Sequence, residues 1–221
     1  MVKRTKIAVI GGGGRTGKYL VSQLLNQGFH VKLLLRNPEN TCQNILFENP
    51  GIEIIQGDVL NINAVRLLLA NCQSVISTVG QRKDEPLVAS LATMNILKVM
   101  AENEANGYSL KRYILVAGLN VETPFDKKGP ETMMATEWMK TNFPDIQTDR
   151  QHSYKILSES NADWTLVRVP YIEFTEERSQ TGVSLEDSPG KKISAADIAS
   201  FLIEQLNDET YNKKAPFIAN I

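Results

Sequence analysis

Two groups of residues have types and spacings that could do chemistry, and both point to a nucleotide. Gly11, Gly14 and Gly17 stand three residues apart in Lys6-Ile-Ala-Val-Ile-Gly-Gly-Gly-Gly-Arg-Thr-Gly17, the form G-x-x-G-x-x-G. Glycine at the first position permits a sharp turn. At the second it lets a pyrophosphate approach the backbone, and at the third it lets a following helix pack closely on the strand. The helix start adds free N–H groups and a positive dipole end. A flexible glycine loop is the plain alternative, but the apolar run Ile7–Ile10 before the glycines and the spaced Leu20, Leu24 and Leu25 after them supply strand, turn and helix, the context such a motif requires. Gly12–Lys18 also reads G-x-x-x-x-G-K, nearly a Walker A loop. Tyr19 stands where Ser or Thr would hold Mg²⁺, which argues against an ATPase or GTPase.

The second group follows the next strand, His30–Leu35. A fold that prefers NAD places Asp or Glu there for the ribose 2′-hydroxyl. Here the residue is Arg36. A guanidinium pairs bidentately with a 2′-phosphate and cannot accept from a hydroxyl, which favours NADP(H). Its alternative is a solvated surface arginine, and Glu39 keeps NAD(H) as the lesser option. Asp58, after the strand Gly51–Gly57, falls at a turn that flanks adenine in such folds. It also suits the N-cap of a helix over Asn63–Ala70, and both readings hold together. Gly80 ends a fourth strand, Ser74–Val79, where backbone could pass close to ribose and pyrophosphate. Arg82 and Lys83 follow in a polar loop, where solvated charge is the simpler reading.

The positioning elements alternate. After Pro86 a helix runs to about Asn103, with Leu87, Leu91, Met94, Leu97 and Met100 as its apolar side. A fifth strand spans Lys111–Ala117, a helix Glu131–Thr141, another Gln151–Ser160, and a sixth strand Asp163–Val169. Lys191–Ser194 is a short extended piece. Ser194 then caps the last helix, with Asp197 at its third position and Ile198, Phe201, Leu202 and Leu206 as its stripe. Ala215–Ala219 reads as a final edge strand. The pattern is α/β: one Rossmann-type, doubly wound parallel sheet with helices on both faces and a small C-terminal substrate-side lobe. It fits a single domain over 1–221, with 119–150 and 171–192 as substrate-side insertions. Met133, Met134, Trp138 and Met139 are read as helix packing, with a substrate cavity as the alternative.

Composition excludes several classes. The 221 residues carry a net charge of −1, which does not suit a nucleic-acid surface. Cys42 and Cys72 are too few for a disulfide framework, so a cytoplasmic setting with reduced thiols is expected. No secretory apolar region precedes the first strand, and no apolar run is long enough for a bilayer. His30, His152, Cys42 and Cys72 lack metal-ligand spacing, so no metal site is expected.

The ordered set Ile10–Gly17, Leu35-Arg-Asn-Pro38, Gln56-Gly-Asp-Val59, Ser160-Asn-Ala-Asp-Trp-Thr-Leu-Val-Arg-Val-Pro170 and Ile193-Ser-Ala-Ala-Asp-Ile-Ala199 resembles the atypical short-chain dehydrogenase/reductase superfamily. More narrowly it resembles the small NAD(P)H-binding branch that includes NmrA-like and biliverdin reductase B-like proteins. The resemblance implies NADP(H) held by Gly11, Gly14, Arg15, Thr16 and Gly17, with Arg36 on the 2′-phosphate. It also implies contacts from Asp58 and Val59, from Thr78, Val79 and Gly80, and near nicotinamide from Ala117 and Pro170.

One departure limits the carry-over. Better-known members use a Tyr-x-x-x-Lys pair in which Lys lowers the Tyr pKa. The residue four after each Tyr here is Gln23, Arg112, Ala117, Ser158, Thr175 or Ala215, never Lys. Two functions remain. One is an NADP(H)-dependent oxidoreductase passing hydride to a small acceptor by positioning, with the proton from water or from a nearby group, for which Tyr171, Tyr154 and His152 are the candidates. The other is a non-catalytic NADP(H) sensor of NmrA type, which would need a protein partner. Tyr171 is the first choice because it follows Pro170, although a packed aromatic explains it equally well. Neither a nucleic acid nor a membrane is expected as partner, and the sequence leaves the acceptor and the oligomeric state open.

Overall fold

Short apolar strands alternating with helices that carry one apolar side can bury both only by layering helices on a sheet. The computed structural model, which describes residues 5–38, 49–82, 84–108 and 110–221, shows that arrangement. In chain order it contains β1 (Lys6–Ile10), α1 (Gly17–Asn26), β2 (His30–Leu35), β3 (Ile52–Gln56), α2 (Ile62–Leu69), β4 (Ser74–Ser77), α3 (Ala89–Ala105), β5 (Arg112–Gly118), α4 (Pro130–Asn142), α5 (Pro144–Ser158), β6 (Trp164–Val169), β7 (Tyr171–Glu173), β8 (Thr181–Ser184), β9 (Lys192–Ser194), α6 (Ala195–Glu204) and β10 (Phe217–Asn220). Eight strands form one sheet in the order β3-β2-β1-β4-β5-β6-β10-β8. All neighbours are parallel except β8, which runs antiparallel to β10. β7 and β9 pair separately, with Tyr171 opposite Lys192.

Successive strand residues feed opposite cores. In β1, Ile7 and Val9 face Leu20, Leu24, Ile198 and Leu202 of α1 and α6. Ala8 and Ile10 face Val65, Leu68, Ile96 and Leu157 of α2, α3 and α5. Strand order reverses between β1 and β4, so a crevice opens at their carboxyl ends, the place where open α/β sheets bind ligands. Among the described residues no helix is long and apolar enough to cross a membrane.

Several sequence expectations need correction. α3 begins at Ala89, not Pro86, because Asp149 of α5 accepts from the amides of Ala89 (2.7 Å) and Ser90 (3.0 Å) and so caps it from a distance. Its inner side is Ala92, Thr93, Asn95, Ile96 and Val99, while Leu87, Leu91 and Met94 are exposed. Thr93 shares a hydrogen bond with Ser153 and Asn95 donates to Val59 O, so polar residues occupy that inner side. α5 starts at Pro144, earlier than expected, because its first turns are polar and carry no apolar period. The N-cap of α2 is Asn61, whose Oδ1 accepts from Asn63 N. Asp58 instead closes a turn by accepting from Leu60 N at 2.9 Å. β10 is not an edge strand, since β8 lies outside it. On α4, Met133, Met134 and Trp138 are exposed, and the buried residues are Thr132 and Thr136. The cap at Ser194 is present, its Oγ accepting from Asp197 N at 3.0 Å. Glu39, Cys42 and Lys83 lie outside the described residues.

Candidate functional site: a cleft at the carboxyl edge of the sheet

A cleft of about 740 Å³ opens over the ends of β1, β2, β4, β5 and β6. Its floor is the turn after β1. Gly11 has φ +81°, and a Cβ there would sit 2.9 Å from the backbone of Thr78 and Val79. Only glycine therefore lets the ends of β1 and β4 meet. A Cβ on Gly17 would lie 2.1 Å from Gly11 O, so α1 can start against the turn only with a bare Cα there. Gly14 N donates back to Gly11 O at 2.9 Å and ties the loop into a ring. α1 has no side-chain cap at Thr16 and no acidic residue in its first turn. The amide-rich, positive end of the helix is thus left to a ligand, which suits a pyrophosphate.

At the β2 end, Arg36 reaches Glu85 with two hydrogen bonds, Nη1 to Oε2 at 2.6 Å and Nη2 to Oε1 at 3.1 Å. Asp58 lies 4.0 Å from Arg36, and Arg82 lies 3.6 Å from Glu85. The Glu85 pairing raises the Arg36 pKa, and the Arg36 hydrogen bond holds the Glu85 carboxyl below its usual range.

The opposite end is lined by Val116, Ala117, Gly118, Val169, Pro170, Ile172, Phe174 and Arg150. Arg150 lies on α5. Its Nη2 donates to Val79 O at 3.0 Å and its Nη1 reaches Val116 O at 3.5 Å, so one guanidinium straddles the ends of β4 and β5. Burial pushes its pKa down and Asp149 next to it pushes the other way. Phe174 closes the near side, with the Arg15 guanidinium 4.3 Å from its ring centroid.

Of the candidates named from sequence, Gly11, Gly14, Arg15, Thr16, Arg36, Asp58, Val59, Thr78, Val79, Gly80, Ala117 and Pro170 all line this cleft. Gly17 lies beneath it, packed against the turn. The three proton-source candidates do not line it. Tyr171 is 74% exposed, because Pro170 and Ile172 face the cleft and strand alternation turns the residue between them outward. His152 is exposed, two residues beyond Arg150 and so on another side of α5. Tyr154 packs edge-on against Trp164, with centroids 6.1 Å apart, and burial raises its hydroxyl pKa. Arg150, Glu85, Ile172 and Phe174 were not singled out from sequence. The i, i+2 spacing of Pro170, Ile172 and Phe174 could have found the last two, whereas Arg150 sits in a polar run that gives no signal.

A family model described as NAD(P)H-binding matches residues 11–209. Cinnamoyl-CoA reductase 1 of Petunia hybrida is 26% identical over 188 residues, covering 81% of this chain and 51% of that protein. The chain thus spans about half the length of that relative. A short-chain dehydrogenase/reductase from Veillonella parvula DSM 2008, solved in complex with NADP, superposes with TM-score 0.77 at 16% identity, covering 98% of this chain and 94% of the other. ChuY, an anaerobillin reductase from Escherichia coli O157:H7, gives TM-score 0.75 at 17% identity, covering 98% and 97%. With the matched model running from the glycine turn through α6, and a sheet that is parallel through β6 with its order reversing between β1 and β4, this chain belongs to the NAD(P)H-binding family of Rossmann-fold proteins.

Proposed function

We propose that the protein is an NADP(H)-dependent oxidoreductase that passes hydride to a small acceptor. The observation that carries this reading is the Gly11–Gly17 turn, where a Cβ at Gly11 or Gly17 would strike the backbone at the end of β4 or of the turn itself, so that only glycine brings the uncapped start of α1 to the floor of the cleft. In this reading Gly11, Gly14, Arg15 and Thr16 hold the pyrophosphate, Arg36 takes the 2′-phosphate, and Asp58 and Val59 flank the adenine. Arg150, Ala117 and Pro170 orient the reactive ring, while Ile172 and Phe174 exclude water from it. The bound dinucleotide supplies the hydride. The chain supplies position, which can account for much of a rate enhancement when reacting atoms are held at contact distance.

Among the described residues lining the far end, none is a Tyr, His, Cys or carboxylic acid. Arg150 is the ionisable group there, and a guanidinium keeps its proton. The proton that completes reduction of the acceptor therefore comes from solvent in this reading. The same observation favours a second reading, a sensor that binds NADP(H) without turnover.

The deciding experiment follows NADPH oxidation against flavins, quinones, tetrapyrroles and small carbonyls. Steady turnover with any of them supports the enzyme and removes the sensor. Tight NADPH binding without turnover across the panel favours the sensor. Absence of dinucleotide binding ends both.

A further inference from the structure

The adenosine end of the cleft is already neutralised by the protein's own charges. Arg36 and Arg82 face Glu85 and Asp58, two cations against two anions among the described residues. The Arg36–Glu85 pair is bidentate, the geometry a guanidinium adopts on a phosphate. We propose that Glu85 occupies on Arg36 the place of a cofactor 2′-phosphate, and that its displacement sets the choice between NADP(H) and NAD(H). This rests on the role given to Arg36 under the proposed function.

Charge forces the displacement. A phosphate monoester brings close to two negative charges at neutral pH. With Glu85 still in place, three anionic groups would crowd two guanidiniums, and both ligands would need the same two Arg36 N–H donors. The phosphate therefore takes over Arg36, with the exposed Arg82 free to follow it. Glu85 can leave without unfolding the loop. Its side chain is about one-third exposed, so rotation carries it into water. The loop backbone is held separately, because Gln81 Nε2 donates to the carbonyls of Arg82 (3.0 Å), Glu85 (2.9 Å) and Pro86 (3.2 Å). NAD(H) brings no phosphate, so Glu85 stays on Arg36. Its carboxylate then offers the ribose 2′-hydroxyl an acceptor, which Arg36 cannot provide. One acidic side chain thus opposes NADP(H) and assists NAD(H).

The test titrates NADPH and NADH against wild type, Glu85→Gln, Glu85→Ala and Arg36→Ala, with a thermal melt of each. Both Glu85 variants should melt like wild type, since the side chain is exposed. Both should bind NADPH roughly fivefold more tightly, the scale of releasing one exposed ion pair, and NADH more loosely. Arg36→Ala should weaken NADPH. If the Glu85 variants leave NADPH unchanged or weaker while Arg36→Ala weakens it, the role of Glu85 is overturned and that of Arg36 stands. If Arg36→Ala leaves NADPH unchanged, both roles fall.

Discussion

The turn after β1 and the segments 119–150 and 171–192 at the far end of the cleft, together called the lobe, are built by opposite means. The turn is backbone. It spans seven residues, from Gly11 to Gly17, lies against the backbone of Thr78 and Val79, and depends on side chains being absent. The lobe is held by side chains that reach far along the sequence. Arg168 of β6 is fully buried; its Nη1 donates to Asp126 Oδ1 (2.7 Å), Asp126 Oδ2 (2.9 Å) and Val121 O (3.0 Å). Its Nε donates to Ala215 O at 2.8 Å, and its guanidinium lies 3.5 Å from the Phe217 ring centroid. Asn120 and Gln147 exchange hydrogen bonds, Gln151 donates to Glu122 O, and Asp187 accepts from Gly129 N. A backbone site tolerates little change within it but does not depend on hydrogen bonds from distant side chains. A side-chain network can be redrawn for a new acceptor but collapses when one buried partner goes.

Asp126→Ala should therefore have the largest effect. It leaves the Arg168 guanidinium buried without its carboxylate, a loss of about 3–5 kcal/mol in folding stability. Urea unfolding measures it. A loss under about 1 kcal/mol would mean that the lobe does not rest on this pair. Dinucleotide binding at low temperature, where the variant is still folded, should persist, because the turn shares no contact with Asp126.

Gly14→Asp reverses that pattern. The new carboxylate would sit where the pyrophosphate is expected and repel it, a like-charge contact costing about 3 kcal/mol. NADPH titration should show binding lost while the melting temperature shifts by only a few degrees. Retained binding would move the phosphates away from this turn. Arg36→Glu should weaken NADPH by about 1–3 kcal/mol, the value of a hydrogen bond to a charged group, and leave NADH much less affected.

The same contrast explains what could be read in advance. The turn was legible because glycine spacing and the flanking apolar runs carry it within about twenty residues. The parallel, doubly wound sheet was legible from strands alternating with helices, whereas the antiparallel β8 beside β10 was not. The lobe was not legible. α5 begins with a polar run whose Gln147 and Asp149 are buried because Asn120 and the amides of Ala89 and Ser90 satisfy them. No local pattern announces a partner sixty residues away. The inner side of α3 misled for the same reason, since Thr93 and Asn95 face inward toward Ser153 and Val59. Tyr171 misled differently. Its place after Pro170 put it at the right strand end, but the period of two turns it outward between Pro170 and Ile172.

The two regions meet where the Arg15 guanidinium lies over the Phe174 ring. Arg15 belongs to the turn and Phe174 to the segment after β7, so this contact decides whether the lobe senses what the turn holds. A cation over an exposed ring is worth about 0.5–1 kcal/mol. Phe174→Ala should therefore leave stability nearly unchanged, since 40% of Phe174 is exposed. It should instead speed NADPH release roughly two- to fivefold, because most changes at an interface appear in the off-rate. Stopped-flow displacement of bound NADPH reads that rate directly. An unchanged rate would mean that Phe174 contributes nothing to how Arg15 holds the cofactor.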